Sequence, residues 1–202
     1  MTLRMLTLPG WQNSGPDHWQ TRWEQHFAFN RVEQADWHWP RRGDWMARLE
    51  DVLLESDTPA VLAAHSLGCQ LVAAWAMHSR HSARVRAALL VAPPDTERPD
   101  TPPQLHNWRP MPRMRLPFVA AVVASSNDPY CALVRSEGLA ADWGARFVVV
   151  GALGHLNGDS GLADWPQGRA LVDALAALAP AATPATPATA SQPRPTDSHK
   201  ET

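Results

Sequence analysis

Ala60-Val61-Leu62-Ala63-Ala64-His65-Ser66-Leu67-Gly68-Cys69-Gln70-Leu71-Val72-Ala73-Ala74-Trp75-Ala76 is the stretch on which the reading of the fold turns. The apolar run Ala60 to Ala63 has the length of a buried strand, and Cys69 to Ala76 reads as a helix. Ser66 stands between them, in the layout of a nucleophile elbow. A serine wedged into so sharp a strand-to-helix turn has a strained backbone that projects its hydroxyl away from the sheet, and such strain is retained where chemistry uses it. The turn also crowds the residues two before and two after the serine, so both must be small. Ser66 alone among the serines has Ala or Gly at both places, Ala64 and Gly68, although Ala64 departs from strict G-x-S-x-G by one methyl group.

Working outward, Leu3 to Leu8 is a short apolar run closed by Pro9-Gly10 and a turn-rich segment to Pro16, a strand followed by a loop. Asp17 is placed to cap a helix from His18 to about Phe29, on which Trp19, Trp23 and Phe27 share one face. Arg31 to Gln34 reads as a weak strand, and Asp44 to Glu55 as a helix with Trp45, Leu49, Val52 and Leu53 inward. Val85 to Ala92, Pro117 to Ala124 and Arg146 to Val150 are Val, Leu and Ala runs that suit strands buried on both faces of a parallel sheet. Helical patterns at about Cys131 to Trp143 and Pro166 to Leu178 separate and follow them. The alternation predicts a doubly wound, three-layer α/β fold with a mostly parallel sheet. Pro93 to Leu116, dense in proline, is expected to fold over the sheet end as a loop or rudimentary lid.

Composition bounds the rest. A chain of 202 residues, 45% apolar and 19% charged, suits one globular domain, placed at residues 1–179. Residues 180–202, an Ala/Thr/Pro-rich and then polar stretch, are expected to be a disordered tail. Lys+Arg 18 against Asp+Glu 20 gives a net charge of -2 and no electrostatic footprint for nucleic acid or an anionic membrane. The first ten residues lack the apolar core of a signal peptide, so a cytoplasmic location is expected. Cys69 and Cys131 have no metal-ligand spacing and read as free thiols. No metal or organic cofactor is called for.

If Ser66 is a nucleophile it needs a base, and the base needs an acid. In hydrolases of this architecture these follow in the order Ser, Asp or Glu, His. Asp128 lies in Ser125-Ser126-Asn127-Asp128-Pro129, directly beyond a strand, where α/β folds build their sites. Asp95, one strand earlier, is the reserve acid. His155 falls in Gly151-Ala152-Leu153-Gly154-His155-Leu156-Asn157-Gly158, whose glycines allow an imidazole to be brought over the sheet edge. His65 is read as structural, because neighbours in a tight turn point apart. For the oxyanion, one donor is the Leu67 N-H at a helix start, and the second is the N-H of Trp11 or of Gln12. Ten tryptophans are an unusual number. Most read as core anchors, whereas Trp11 and Trp108 lie in loops expected to border the site and are candidates for lining a substrate pocket.

Leu8-Pro9-Gly10-Trp11-Gln12-Asn13-Ser14-Gly15-Pro16-Asp17-His18-Trp19-Gln20, Ala64 to Gly68, Ala92-Pro93-Pro94-Asp95, Ser125 to Tyr130 and Gly154-His155-Leu156-Asn157 resemble the signature stretches of the small serine hydrolases of the retinoblastoma-binding-protein-9 and YdeN type. The resemblance spans about Leu3 to Leu178. It implies a compact α/β-hydrolase fold with little or no cap domain, a triad of Ser66, Asp128 and His155, and carboxylesterase activity on small-molecule esters through an acyl-enzyme. Pro9-Gly10 stands where many members of the wider fold have His-Gly. An acyltransferase, a thioesterase or a peptidase on the same triad, or a non-catalytic binding module, are the alternatives.

Overall fold

The computed structural model describes residues 2–178, so the expected tail lies outside the described residues. Six strands form one sheet: β1 (Arg4–Leu8), β2 (Asn30–Arg31), β3 (Ala60–His65), β4 (Val85–Val91), β5 (Val119–Ala124) and β6 (Arg146–Val149). Their order is β2-β1-β3-β4-β5-β6, and every pairing is parallel. All six residues of β3 are buried, which explains why that strand reads as an unbroken apolar run without alternation.

Five helices cover the two faces: α1 (Trp19–His26), α2 (Arg42–Leu54), α3 (Leu67–His78), α4 (Leu133–Trp143) and α5 (Pro166–Leu178). Leu6, Leu62, Leu90 and Val122 meet residues of α2, α3 and α4 on one face, including Trp45, Trp75 and Trp143. Their neighbours Val61, Leu89 and Val123 meet Trp19 and Trp23 of α1 and Val172 and Leu175 of α5 on the other. The side-chain period of two along each strand therefore feeds two cores. The chain runs from β1 through α1 to β2 on one side, then back through α2 to β3 on the other. The crevice beyond β1 and β3 is thus a topological switch point, where α/β sheets place their sites.

Three expectations need correcting. The residue that caps α1 is His18, whose Nδ1 accepts the Gln20 N-H at 3.1 Å, and the helix ends at His26, leaving Phe27 exposed. Pro93 to Leu116 is no lid. It holds a 3-10 helix (Pro103–Trp108) and sinks Leu105, Trp108, Met111 and Leu116 into the core, with Trp108 against α2 and Leu116 tied to the end of α4. Trp108 is fully buried, packed edge-on against Trp45 at 5.5 Å with its indole N-H donating to the Pro40 carbonyl, so it lines no open pocket.

A close approach of main chain to main chain lies where α3 starts against the end of β1. A Cβ on Gly68 would stand 2.2 Å from the Leu8 carbonyl oxygen, and one on Gly10 would stand 2.6 Å from the Ser66 Cβ. Two bare backbones are what let β1, the turn and α3 touch. Gly68→Ala is expected to cost about 1–3 kcal/mol or more, through overpacking against main chain. Gly138→Ala, in α4 with open space around it, is expected to gain about 0.5–1 kcal/mol. Urea unfolding of the two variants beside the parent chain checks both signs.

Candidate active site

Ser66 has φ 54° and ψ -125°, a region that non-glycine residues rarely occupy, at a cost on the order of 1–3 kcal/mol. Its N-H donates to the Val91 carbonyl at 2.9 Å, which ties the turn to β4 and helps hold the strain. α3 begins at the next residue, so the serine hydroxyl sits over the positive end of a twelve-residue helix.

Asp128 and His155 leave the ends of β5 and β6 and reach the same point. His155 Nε2 lies 2.9 Å from Ser66 Oγ, and His155 Nδ1 lies 3.0 and 2.9 Å from the two Asp128 carboxylate oxygens. A carboxylate only accepts, so Nδ1 carries the imidazole proton and Nε2 presents its lone pair to the serine hydroxyl. Asp128 is nearly buried, with 3% of its side chain exposed against 10% for His155, and it also accepts the Tyr130 N-H at 2.9 Å. Asp95, the reserve acid, is turned away and lies 3.4 Å from Arg135.

The structure separates the two candidates for the second oxyanion donor. The Gln12 N-H is spent on the Trp37 carbonyl at 3.0 Å, which removes Gln12. No hydrogen bond among the described residues engages the N-H of Trp11 or of Leu67. A Cβ on Gly10 would lie 3.0 Å from the Leu67 nitrogen, so the bare glycine is what leaves that donor open. The Trp11 indole is half-buried and donates to the His38 carbonyl at 3.0 Å, which pins the loop after β1.

Sequence reasoning missed the groups that hold these pieces together. Asn127 Oδ1 accepts the Gly154 N-H at 2.7 Å, and Ser125 Oγ accepts the Leu153 N-H at 2.8 Å. Trp19 donates its indole N-H to the Leu156 carbonyl at 3.0 Å. The Tyr130 ring stands edge-on to the His155 ring at 4.6 Å, and a cavity of about 400 Å³ opens beside them along Leu153, Gly154 and Asn157. A larger cavity of about 610 Å³, at the start of α2 between Trp39, Arg41 and Asn107, shares no residue with this site. The motif Ser-x-Asn-Asp held Ser125 and Asn127 in view, but only their hydrogen bonds to a loop some 25 residues on show their use.

Among the described residues, no cluster of three or more His, Cys, Asp or Glu side chains is arranged to hold a metal ion. No helix there is long and apolar enough to cross a membrane. Both cysteines are free and buried, and burial pushes the Cys131 thiol up to about 11 and the Cys69 thiol well above its ordinary value.

The family model for serine hydrolases matches residues 5–174. The chain belongs to the serine hydrolase family. Among solved structures, this serine hydrolase is similar to a protein described as a YdeN-like hydrolase from Pectobacterium atrosepticum, at 26% identity and a TM-score of 0.77, covering 89% of this chain and 94% of that one. It is also similar to the ydeN gene product of B. subtilis, at 21% identity and a TM-score of 0.69, covering 86% and 98%. The type II thioesterase BorB of the borrelidin biosynthetic cluster shares the fold at 16% identity and a TM-score of 0.58, covering 88% and 92%. No curated protein matches the chain. The α/β-hydrolase fold and the small serine hydrolase type expected from the sequence are therefore both met.

Two further histidines lie against the site. Burial, with Arg31 and His155 as lesser causes, pulls His18 down to about 3, and burial with its imidazole neighbours holds His65 well below the usual range. In the unfolded chain such groups titrate near 6.5. As pH falls below that value the unfolded chain takes up protons that the folded chain refuses, so stability present above about pH 6.5 is lost progressively toward pH 3. For His18 the slope approaches about 1.4 kcal/mol per pH unit. Urea midpoints should fall between pH 7.5 and 5, and His18→Asn, which keeps a capping acceptor, should flatten the fall. An unchanged slope in that variant would place its origin elsewhere.

Proposed function

We propose that this serine hydrolase cleaves small carboxylic esters through an acyl-enzyme on Ser66. The observation that carries the reading is the single imidazole of His155, within 3.0 Å of both the Ser66 hydroxyl and the Asp128 carboxylate. In the proposed cycle His155 Nε2 takes the hydroxyl proton as Ser66 Oγ attacks the ester carbonyl carbon. The carbonyl oxygen gains negative charge and accepts from the N-H groups of Leu67 and Trp11, with the α3 N-terminus adding its field. Collapse of the intermediate breaks the bond to the alkoxy group, which leaves with the proton from His155. Water then attacks the acyl carbon, giving its proton to His155; collapse of this second intermediate breaks the bond to Ser66 Oγ, which takes the proton back from His155 as the acid is released. Asp128 keeps the imidazole in the tautomer the cycle uses, and its negative charge offsets that of the imidazolium.

The small-ester assignment is supported by the packing of Pro93 to Leu116, the segment expected to cover the site, which sinks Leu105, Trp108, Met111 and Leu116 into the core. The substrate is a small molecule met in solution, and the proposed chemistry draws on no metal or organic cofactor. The fold likeness to BorB keeps a thioester in the comparison.

A fluorophosphonate probe is expected to label the wild type and to leave Ser66→Ala unlabelled. Labelling that persists in the variant would move the nucleophile elsewhere. Asp128→Asn is expected to lower kcat on a short nitrophenyl ester by on the order of 10⁴. Rates on that ester, an acyl thioester and an aminoacyl amide, measured side by side, are expected to rank the ester first. A higher kcat/KM on either of the others would replace the ester assignment.

A further inference from the structure

His65 precedes Ser66 on the last residue of β3, and its side chain is nearly buried, with 5% of the residue exposed. Its Nε2 lies 2.8 Å from the main-chain carbonyl oxygen of His155, ninety residues along the chain. A carbonyl only accepts, so Nε2 carries the proton and His65 donates. The His65 ring stands edge-on to the His155 ring at 4.9 Å, and behind it lies the His18 ring at 4.5 Å. His18 has its Nδ1 committed to capping α1, and its buried Nε2 has no hydrogen-bond partner, so it contributes a wall and not a bond.

We propose that His65 is a positioning residue for the base. By donating to the carbonyl of residue 155 itself, it sets the tilt of that residue and so the aim of the imidazole at Ser66. The proposal rests on the reading of Ser66, Asp128 and His155 as a triad. The remaining ties to the loop fall on other residues: the Leu153 and Gly154 N-H groups to Ser125 and Asn127, and the Leu156 carbonyl to Trp19. Loss of the His65 donor therefore leaves the loop in place and frees only the peptide that carries the imidazole. Displacements of about 1 Å in a reacting group cost on the order of 100-fold in rate. The residue next to the nucleophile in sequence thus acts on the base in space, and a neutral side chain does so without setting a second positive charge beside the imidazolium that forms in each cycle.

The test compares His65→Phe, which keeps a ring and loses the donor, with His65→Gln, whose amide nitrogen reaches about as far as Nε2. Active sites are counted by fluorophosphonate titration, and kcat and KM are measured on a short nitrophenyl ester per titrated site. The expected result is a kcat about 10- to 100-fold lower for His65→Phe with KM within about threefold, and recovery of most of that loss in His65→Gln. Should His65→Phe fail to fold, His65→Ala replaces it in the same comparison. A kcat per site within about threefold of wild type in the donorless variant overturns the proposal, and so does a His65→Gln variant as slow as His65→Phe. If the probe labels wild type at no site or at a residue other than Ser66, the triad reading fails and the His65 proposal falls with it.

Discussion

The closeness of the α3 N-terminus to the end of β1 is the constraint on which the rest depends. It exists because position 68 has no side chain to meet the Leu8 carbonyl and position 10 has none to meet Ser66. That approach fixes the turn in which Ser66 takes its left-handed φ. It also leaves the Leu67 N-H uncovered and brings the loop after β1 beside it. A methyl group at either glycine would act on backbone and donor at once, so stability and proposed chemistry share one contact.

The proposed triad is assembled from three strand ends that differ in how firmly the sheet holds them. β3 lies inside the sheet with all its residues buried, and β5 is flanked on both sides. The loop that carries His155 leaves the outermost strand and compensates with hydrogen bonds to Ser125, Asn127, His65 and Trp19. These partners come from the loop after β5, the end of β3 and α1. The base is held by what surrounds it more than by the strand that delivers it.

Much of this was legible from residue order because it followed local chemistry. The runs of Val, Leu and Ala became β4, β5 and β6, Pro166 to Leu178 became α5 with the bounds the pattern set, and the glycines around His155 marked a loop able to reach back over the sheet. What was not legible depended on distant partners. Nothing near Gln12 announces that its N-H will be taken by Trp37, and nothing near His65 announces a bond to residue 155. Trp108 misled because prolines and arginines around it gave the segment a polar character, while its irregularly spaced apolar side chains turned inward together. His18 displaced Asp17 as the cap because the helix starts one residue later, which puts the imidazole Nδ1 within reach of the Gln20 N-H.

The edge position of β6 carries one more consequence. Among the described residues that strand has four residues and a single pairing neighbour, and both its end residues are exposed. Outer elements with few partners open before the interior does, by fluctuations that leave the remaining cooperative unit intact. The hydrogen bonds from His65, Ser125, Asn127 and Trp19 to the loop beyond β6 lie outside that strand, so opening of this margin alone leaves the ties on either side of the imidazole in place.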